Sequence, residues 1–196
     1  MSWPAPISLH REEAALVPLS RDHAAALAAE SAAGGLHKLW FTYVPAPEEM
    51  VAGIESHLAK QAQGEMTPFC VLDAEGRPAG STTYCSPDAE NRRVEIGYTW
   101  YAKRVQRSAV NTACKRMLLG HAFETLDCIA VEFCTHVLNT PSRRAIERLG
   151  AKLDGIRRAH RIMPNGTIRD TAVYSITAPE WPAIRAHLDW QLERPR

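Results

Sequence analysis

The stretch Glu95-Ile96-Gly97-Tyr98-Thr99-Trp100-Tyr101, continuing through Ala102-Lys103-Arg104-Val105-Gln106-Arg107-Ser108-Ala109-Val110-Asn111, decides how the chain is read. Its first half belongs to a strand over 93–101, in which Val94, Ile96, Tyr98 and Trp100 alternate with Glu95, Gly97 and Thr99. Its second half is a short basic turn running into a helix over 106–126. That helix carries Val110, Ala113, Cys114, Met117, Leu118 and Ala122 on one stripe. A helix start offers unpaired N–H groups and the positive end of a dipole. Placed after a strand and beside Lys103, Arg104 and Arg107, such a start suits a pyrophosphate. The same charges would also make an ordinary solvated face, and on these residues alone the two readings stand level.

Working outward toward the N-terminus, Ala14–Leu19 reads as a strand, placed at a sheet edge by Pro18. A helix opens at Ser20, runs to about Ala33 and is stopped by Gly34-Gly35. An ordered loop holds Trp40, Phe41 and Tyr43. Pro47-Glu48-Glu49 then starts a helix with Met50, Val51, Ile54, Leu58 and Ala62 on one face. Strands Thr67–Asp73, Pro78–Cys85 and Arg93–Tyr101 read as an antiparallel meander. Toward the C-terminus come a strand over Cys128–His136 and a helix started at Asn139-Thr140-Pro141 and ended by Gly150. Strands Lys152–Met163 and Arg169–Ile176 follow around the turn Pro164-Asn165-Gly166, and Pro179–Glu193 is a last helix. The predicted order is β-α-α-β-β-β-α-β-α-β-β plus a terminal helix. That is a mixed α/β or α+β fold with one central sheet, expected to form a single domain over residues 1–196.

Composition narrows the function. With 45% hydrophobic and 23% charged residues, a packed core is available. Lys plus Arg (23) nearly cancels Asp plus Glu (22), so neither nucleic acid nor an anionic membrane is expected as a partner. The five cysteines contain no C-x-x-C pair, so no metal site is expected, and they read as small buried hydrophobes in a reducing cytoplasm. Met1–His10 lacks the pattern of a secretory signal, and no apolar run approaches the ~18 residues of a membrane span. The P-loop, the G-x-G-x-x-G fingerprint, the G-x-S-x-G elbow and H-E-x-x-H are all absent from the sequence.

Four segments taken together resemble the GNAT superfamily of acetyl-CoA-dependent N-acetyltransferases. Within it, they are most similar to the branch of ribosomal-protein alanine N-acetyltransferases (RimL-like). Gln106-Arg107-Ser108-Ala109-Val110-Asn111 falls on the pyrophosphate motif Q/R-x-x-G-x-G/A, with Ala109 and Asn111 in place of its small residues. Asn139, Ser142, Ala145, Arg148 and Gly150 match a second motif. Glu95-Ile96-Gly97-Tyr98 and Arg169-Asp170-Thr171-Ala172-Val173-Tyr174-Ser175-Ile176 match a third and a fourth. The resemblance implies a mixed sheet, antiparallel in its N-terminal half and flanked by helices, in which two parallel strands splay apart to admit the cofactor. It implies that main-chain groups of Thr99, Trp100 and Tyr101 pair with the pantetheine arm of acetyl-CoA. The N–H groups from Gln106 and Arg107 through Ser108, Ala109 and Val110 to Asn111 would hold the pyrophosphate, with Asn139 and Ser142 on the thiol-end arm. A homodimer is expected by analogy with the branch, the terminal helix with Trp181 and Trp190 offering an interface.

The resemblance also implies direct attack of a primary amine on the thioester, which requires a base, since alkylamines have pKa values near ~10. Glu95 is the first candidate, and a structural carboxylate is its other reading. His136 and His160 are further base candidates. Many family members carry a tyrosine acid where this chain has Ile146, which leaves Ser142 or a water for that role. Trp40 and Tyr43 would shape the acceptor pocket, with His160 beside it; the aromatics read equally as core. The acceptor is then a protein N-terminus or a small amine such as an antibiotic, polyamine or amino acid. A degenerate, non-catalytic acyl-CoA sensor is the reading from another class.

Overall fold

The computed structural model describes residues 3–194, so Met1, Ser2, Pro195 and Arg196, the ends of the stretch read as one domain, lie outside the described residues. The chain runs β1 (Leu9–Arg11), β2 (Ala14–Pro18), α1 (Ala24–Gly34), α2 (Met50–Ala62), β3 (Met66–Asp73), β4 (Pro78–Asp88) and β5 (Arg93–Tyr101). It continues with α3 (Val110–Gly120), β6 (Ala130–His136), α4 (Thr140–Glu147), β7 (Lys152–Ile162), β8 (Ile168–Thr177) and α5 (Trp181–Glu193). One eight-stranded sheet has the order β1-β2-β3-β4-β5-β6-β8-β7. Every neighbouring pair is antiparallel except β5 and β6.

Helices cover both faces. The larger core packs α3, Ile146 of α4, Leu149 just after it, and Trp181, Ile184 and Leu188 of α5 against Val71, Tyr84, Ile96 and Phe133 of the sheet. The smaller core packs Ala24, Leu27, Met50 and Ile54 of α1 and α2 against Cys70 and Trp100 on the opposite face. Four expectations need correction. Pro18 does not end the sheet, because β1 pairs outside β2. Val51 faces solvent (53% exposed), so α2 buries a narrower stripe, Met50 and Ile54. The helix expected over 106–126 is regular only from Val110 to Gly120 and finishes as a π-helical turn over His121–Thr125. Trp181 is core, stacked on Phe123 and covered by the Arg116 guanidinium, which leaves only Trp190 exposed on the terminal helix.

The fifth correction shapes the site. Val94 and Ile96 join the larger core, but Trp100 joins the smaller one. A β-bulge separates them. Pairing with β4 jumps from Thr83↔Gly97 to Ser81↔Trp100, and Tyr98 sits at φ +46°. An extra residue inverts the facing of everything after it. Glu95 therefore faces the α1–α2 side, whereas Thr99, past the bulge, faces α3.

β4 must approach closely to hold this bulge. Gly80 lies at φ +145°, and a Cβ there would stand 2.1 Å from the Trp100 carbonyl oxygen. Gly80→Ala is expected to lower stability by at least about 2–3 kcal/mol in thermal or urea unfolding. Gly64→Ala, also at positive φ but with open space around it, should lose only about 1 kcal/mol.

Candidate active site

β5 and β6 pair at only three positions, Arg93↔Ala130, Val94↔Val131 and Glu95↔Glu132, and then diverge. Between the diverging ends opens a cleft of ≈680 Å³. On the β6 side, the main chain of β5 beyond Glu95 meets no neighbouring strand. A ligand bearing amides can complete such an edge as an added strand.

At the end of β5, a 3-10 turn over Lys103–Val105 leads to Arg107 in the left-handed region (φ +61°). Ser108 locks the turn: its hydroxyl donates to the Val105 carbonyl (2.6 Å) and accepts the Val110 N–H (3.3 Å). Ala109 adopts φ −69°, ψ −23°, so an alanine is unstrained at this cap. Arg104 does not join a phosphate cluster. It is bound by Glu30 (2.7 Å), Asp73 and the Pro78 carbonyl, which leaves Lys103 and Arg107 as the cations of the turn without a carboxylate partner among the described residues. The Gln106 amide donates to the Tyr101 carbonyl (2.9 Å) and ties the turn to β5.

Of the residues expected at the cofactor, Thr99, Tyr101, Asn111, Asn139 and Ser142 line the cleft. Trp100, expected there as well, does not line the cleft, and its side chain lies in the smaller core. Gln106, Arg107, Ser108, Ala109 and Val110 form the turn at its outer end. Asn139 caps α4 by accepting the Ser142 N–H (3.1 Å), so its capping role is real and coexists with a place in the wall. Ile146 stands in that wall and brings no proton donor.

Sequence reasoning missed Lys115. It lies one helical turn after Asn111, lines the cleft and is 6% exposed. Its Nζ donates to Thr99 Oγ1 (2.8 Å) and Thr82 Oγ1 (3.3 Å), and no carboxylate pairs with it among the described residues. Burial brings its pKa down to about 8. The i, i+4 spacing from Asn111 was the available signal.

On the other side of the split, Glu95 stands beside the Cys85 and Cys134 thiols. A Cβ on Gly97 would come within 3.0 Å of both Glu95 Oε1 and Cys85 Sγ, so the glycine makes room for the carboxylate. Burial pushes the Glu95 carboxyl above the ordinary glutamate range, against the opposing pull of Arg161. No main-chain N–H bonds to it among the described residues. Tyr43 lines this end and donates to Met163 Sδ (3.1 Å). Trp40 does not line the cleft; it is 45% exposed and packs edge-on against His136, which does. His160 reaches the cleft because β7 bulges between Arg157 and Arg161, with Ala159 at φ +49° donating its N–H to Asp170 (2.7 Å). Burial and the surrounding arginines lower the pKa of His160, and burial with Arg169 lowers that of His136. Arg161 and Arg169, not singled out from sequence as site residues, line the same end. The five cysteines are all free thiols, and Cys134 is only half-buried.

Residues 14–152 match the family model described as Acetyltransferase (GNAT) domain. The chain belongs to that family. A Bacillus subtilis (strain 168) protein named "Putative ribosomal N-acetyltransferase YdaF" is 36% identical over 107 residues, 55% of this chain. The match spans 57% of that relative's length. Among solved structures, a GCN5-related N-acetyltransferase from Brucella melitensis is 29% identical, with a TM-score of 0.87 over 96% of this chain and 86% of its own. Mycobacterium smegmatis RimJ in complex with CoA-disulfide shares the fold at 22% identity, with a TM-score of 0.80 over 95% of each chain. The mixed sheet with one parallel pair is the GNAT fold. Among the described residues no group of His, Cys, Asp and Glu could hold a metal ion, and no helix is long and apolar enough to cross a membrane.

Because burial raises the Glu95 pKa, the folded state keeps its proton to higher pH than the unfolded chain. Stability should therefore fall as pH rises through that interval. Glu95→Gln is expected to melt above the wild type at pH 7–8, the difference closing below about pH 4. A variant that melts lower at pH 7 would mark Glu95 as a structural anchor.

Proposed function

We propose that this chain moves the acetyl group of acetyl-CoA, taken as a substrate, directly to a primary amine. One observation carries the reading: the β5–β6 split opens beside a helix start flanked by exposed cations, with a desolvated carboxylate on one side of the sheet and a desolvated ammonium on the other. Arg107 to Asn111 would hold the pyrophosphate by their N–H groups, helped by Lys103. Gly97 to Tyr101 would pair with the pantetheine amides, and Asn139 and Ser142 would line the arm's thiol end.

The amine enters on the face of Glu95. The neutral amine attacks the thioester carbon, and its nitrogen gives up one proton to Glu95, directly or through a water. As the C–S bond breaks, sulfur needs a proton on the α3–α4 side, where Ile146 has none to give. Lys115 is the group there. Its pKa of about 8 lies close to that of a thiol, ~8.5, which suits transfer at neutral pH. Glu95 ends protonated and Lys115 neutral, and solvent resets both. Ser142, on the same side, positions the arm. A protein N-terminus is the acceptor proposed here, in keeping with the word ribosomal in the name of the Bacillus subtilis relative, and unbridged thiols fit a reducing cytoplasm.

Thiol release from acetyl-CoA, followed with a panel of peptides and amines, tests this. Glu95→Gln should lower kcat/KM by about 10² or more and remove the acidic limb of its pH profile. Lys115→Met should lower kcat by on the order of 10². The same substitution should raise the melting temperature at pH 7, because it removes a buried ammonium whose folded pKa lies below its unfolded one. Full turnover in both variants would overturn the roles given to Glu95 and Lys115, and no thiol release from the wild type with any acceptor would leave a binding module rather than this enzyme.

A further inference from the structure

The face that holds Glu95 continues across β6 and β8 to β7, and register fixes what shares it. Glu95 pairs with Glu132; His136, four residues on, pairs with Thr171; Arg169, two before Thr171, pairs with Arg161. Residues two apart on a strand lie on one face. Two guanidinium groups thus stand directly opposite each other, an arrangement that is unfavourable in isolation.

Among the described residues no ion pair neutralises them. Arg169 is only 8% exposed, and its single hydrogen bond runs from Nε to Thr171 Oγ1 (2.9 Å). Its terminal nitrogens meet no acceptor, and neither arginine has a carboxylate within ion-pair distance among the described residues. Glu95 feels both charges and bonds to neither. A third donor lies on the same face. His136 Nδ1 accepts the Leu138 N–H (3.1 Å), which puts the proton of the neutral ring on Nε2. That Nε2 is buried and without a partner, in a residue that is 3% exposed. An uncompensated buried charge and an orphaned donor each cost free energy, and one anion would relieve both. Arg161 and Arg169 also lie beyond the residues matched by the family model, 14–152.

We infer that the acceptor carries a carboxylate a few bonds from its amine, held by Arg169, Arg161 and the Nε2–H of His136 while Glu95 takes the amine proton. The inference rests on the acetyl-transfer reading of this cleft and narrows it. The same cations repel polycationic acceptors, so polyamines and aminoglycoside-type antibiotics should be poor substrates. The carboxylate has two sources: the α-carboxylate of a free amino acid, or an acidic side chain next to a protein N-terminus.

Calorimetry on the wild type with saturating CoA distinguishes them. One arm compares N-acetyl-L-alanine with N-acetyl-L-alaninamide; the other compares N-acetyl-Ser-Asp-Ala-amide with its Asn counterpart. In at least one arm the acid should bind about 10- to 100-fold more tightly than its amide, the range for hydrogen bonds to a charged group. Arg169→Met should abolish the preference. Arg161→Met, at an exposed position that leaves the core untouched, should weaken it. Equal binding of acid and amide in both arms, or a preference that survives both substitutions, overturns the inference. Thiol release with the unacetylated pairs separates the two readings. Preferential binding of acids without thiol release would sink acetyl transfer and leave the anion pocket standing. Equal turnover of acids and amides would do the reverse.

Discussion

Past Glu95, β5 stops pairing with β6, and the rest of the site depends on that broken ladder. Buried main-chain groups left without partners are unfavourable, so an unpaired edge inside a sheet persists only if something else meets it. The bulge at Tyr98 lies just beyond the break and divides the two faces. It keeps Glu95 and Gly97 toward α1 and α2 and turns Thr99 toward Lys115. Gly80 permits the bulge by letting β4 come within contact of the Trp100 carbonyl. The two groups proposed to move protons in opposite directions, Glu95 and Lys115, thus lie on opposite sides of one opening.

Around this opening the protein keeps charges that folding alone would remove. Lys115 is buried against two threonine hydroxyls, Arg169 against one, and Glu95 between thiols. Burial moves the pKa of each toward its neutral form. Structural ion pairs elsewhere look different: Arg104 is gripped by Glu30 and Asp73, and Arg116 by Asp189. The contrast between paired arginines at the edges and unpaired cations in the cleft is what marks the cleft as a place built for something not part of the chain.

Most of the architecture was legible in the sequence. Val94 and Ile96 announced β5, Gly34-Gly35 and Gly150 announced helix ends, and Pro164-Asn165-Gly166 announced the last hairpin. What stayed hidden depended on register. Alternation put Tyr98 and Trp100 with Val94 and Ile96, and no local signal betrays a bulge that rests on a close approach from another strand. Arg104 looked like a phosphate ligand because its partners, Glu30 and Asp73, are distant in sequence. Arg161 and Arg169 stand on different strands of the last hairpin, and only the register sets them face to face beside Glu95. Lys115 followed a buried cysteine on an apolar stripe, and only tertiary packing shows that it enters the cleft.

The most direct measurement is amide hydrogen exchange with and without saturating acetyl-CoA. Entry of the pantetheine arm into the split should slow exchange at Gly97–Tyr101 and at Arg107–Asn111 while leaving β1 and β2 unchanged. Exchange at both segments unaffected by acetyl-CoA, or protection confined to other parts of the sheet, would contradict the placement of the substrate between β5 and β6.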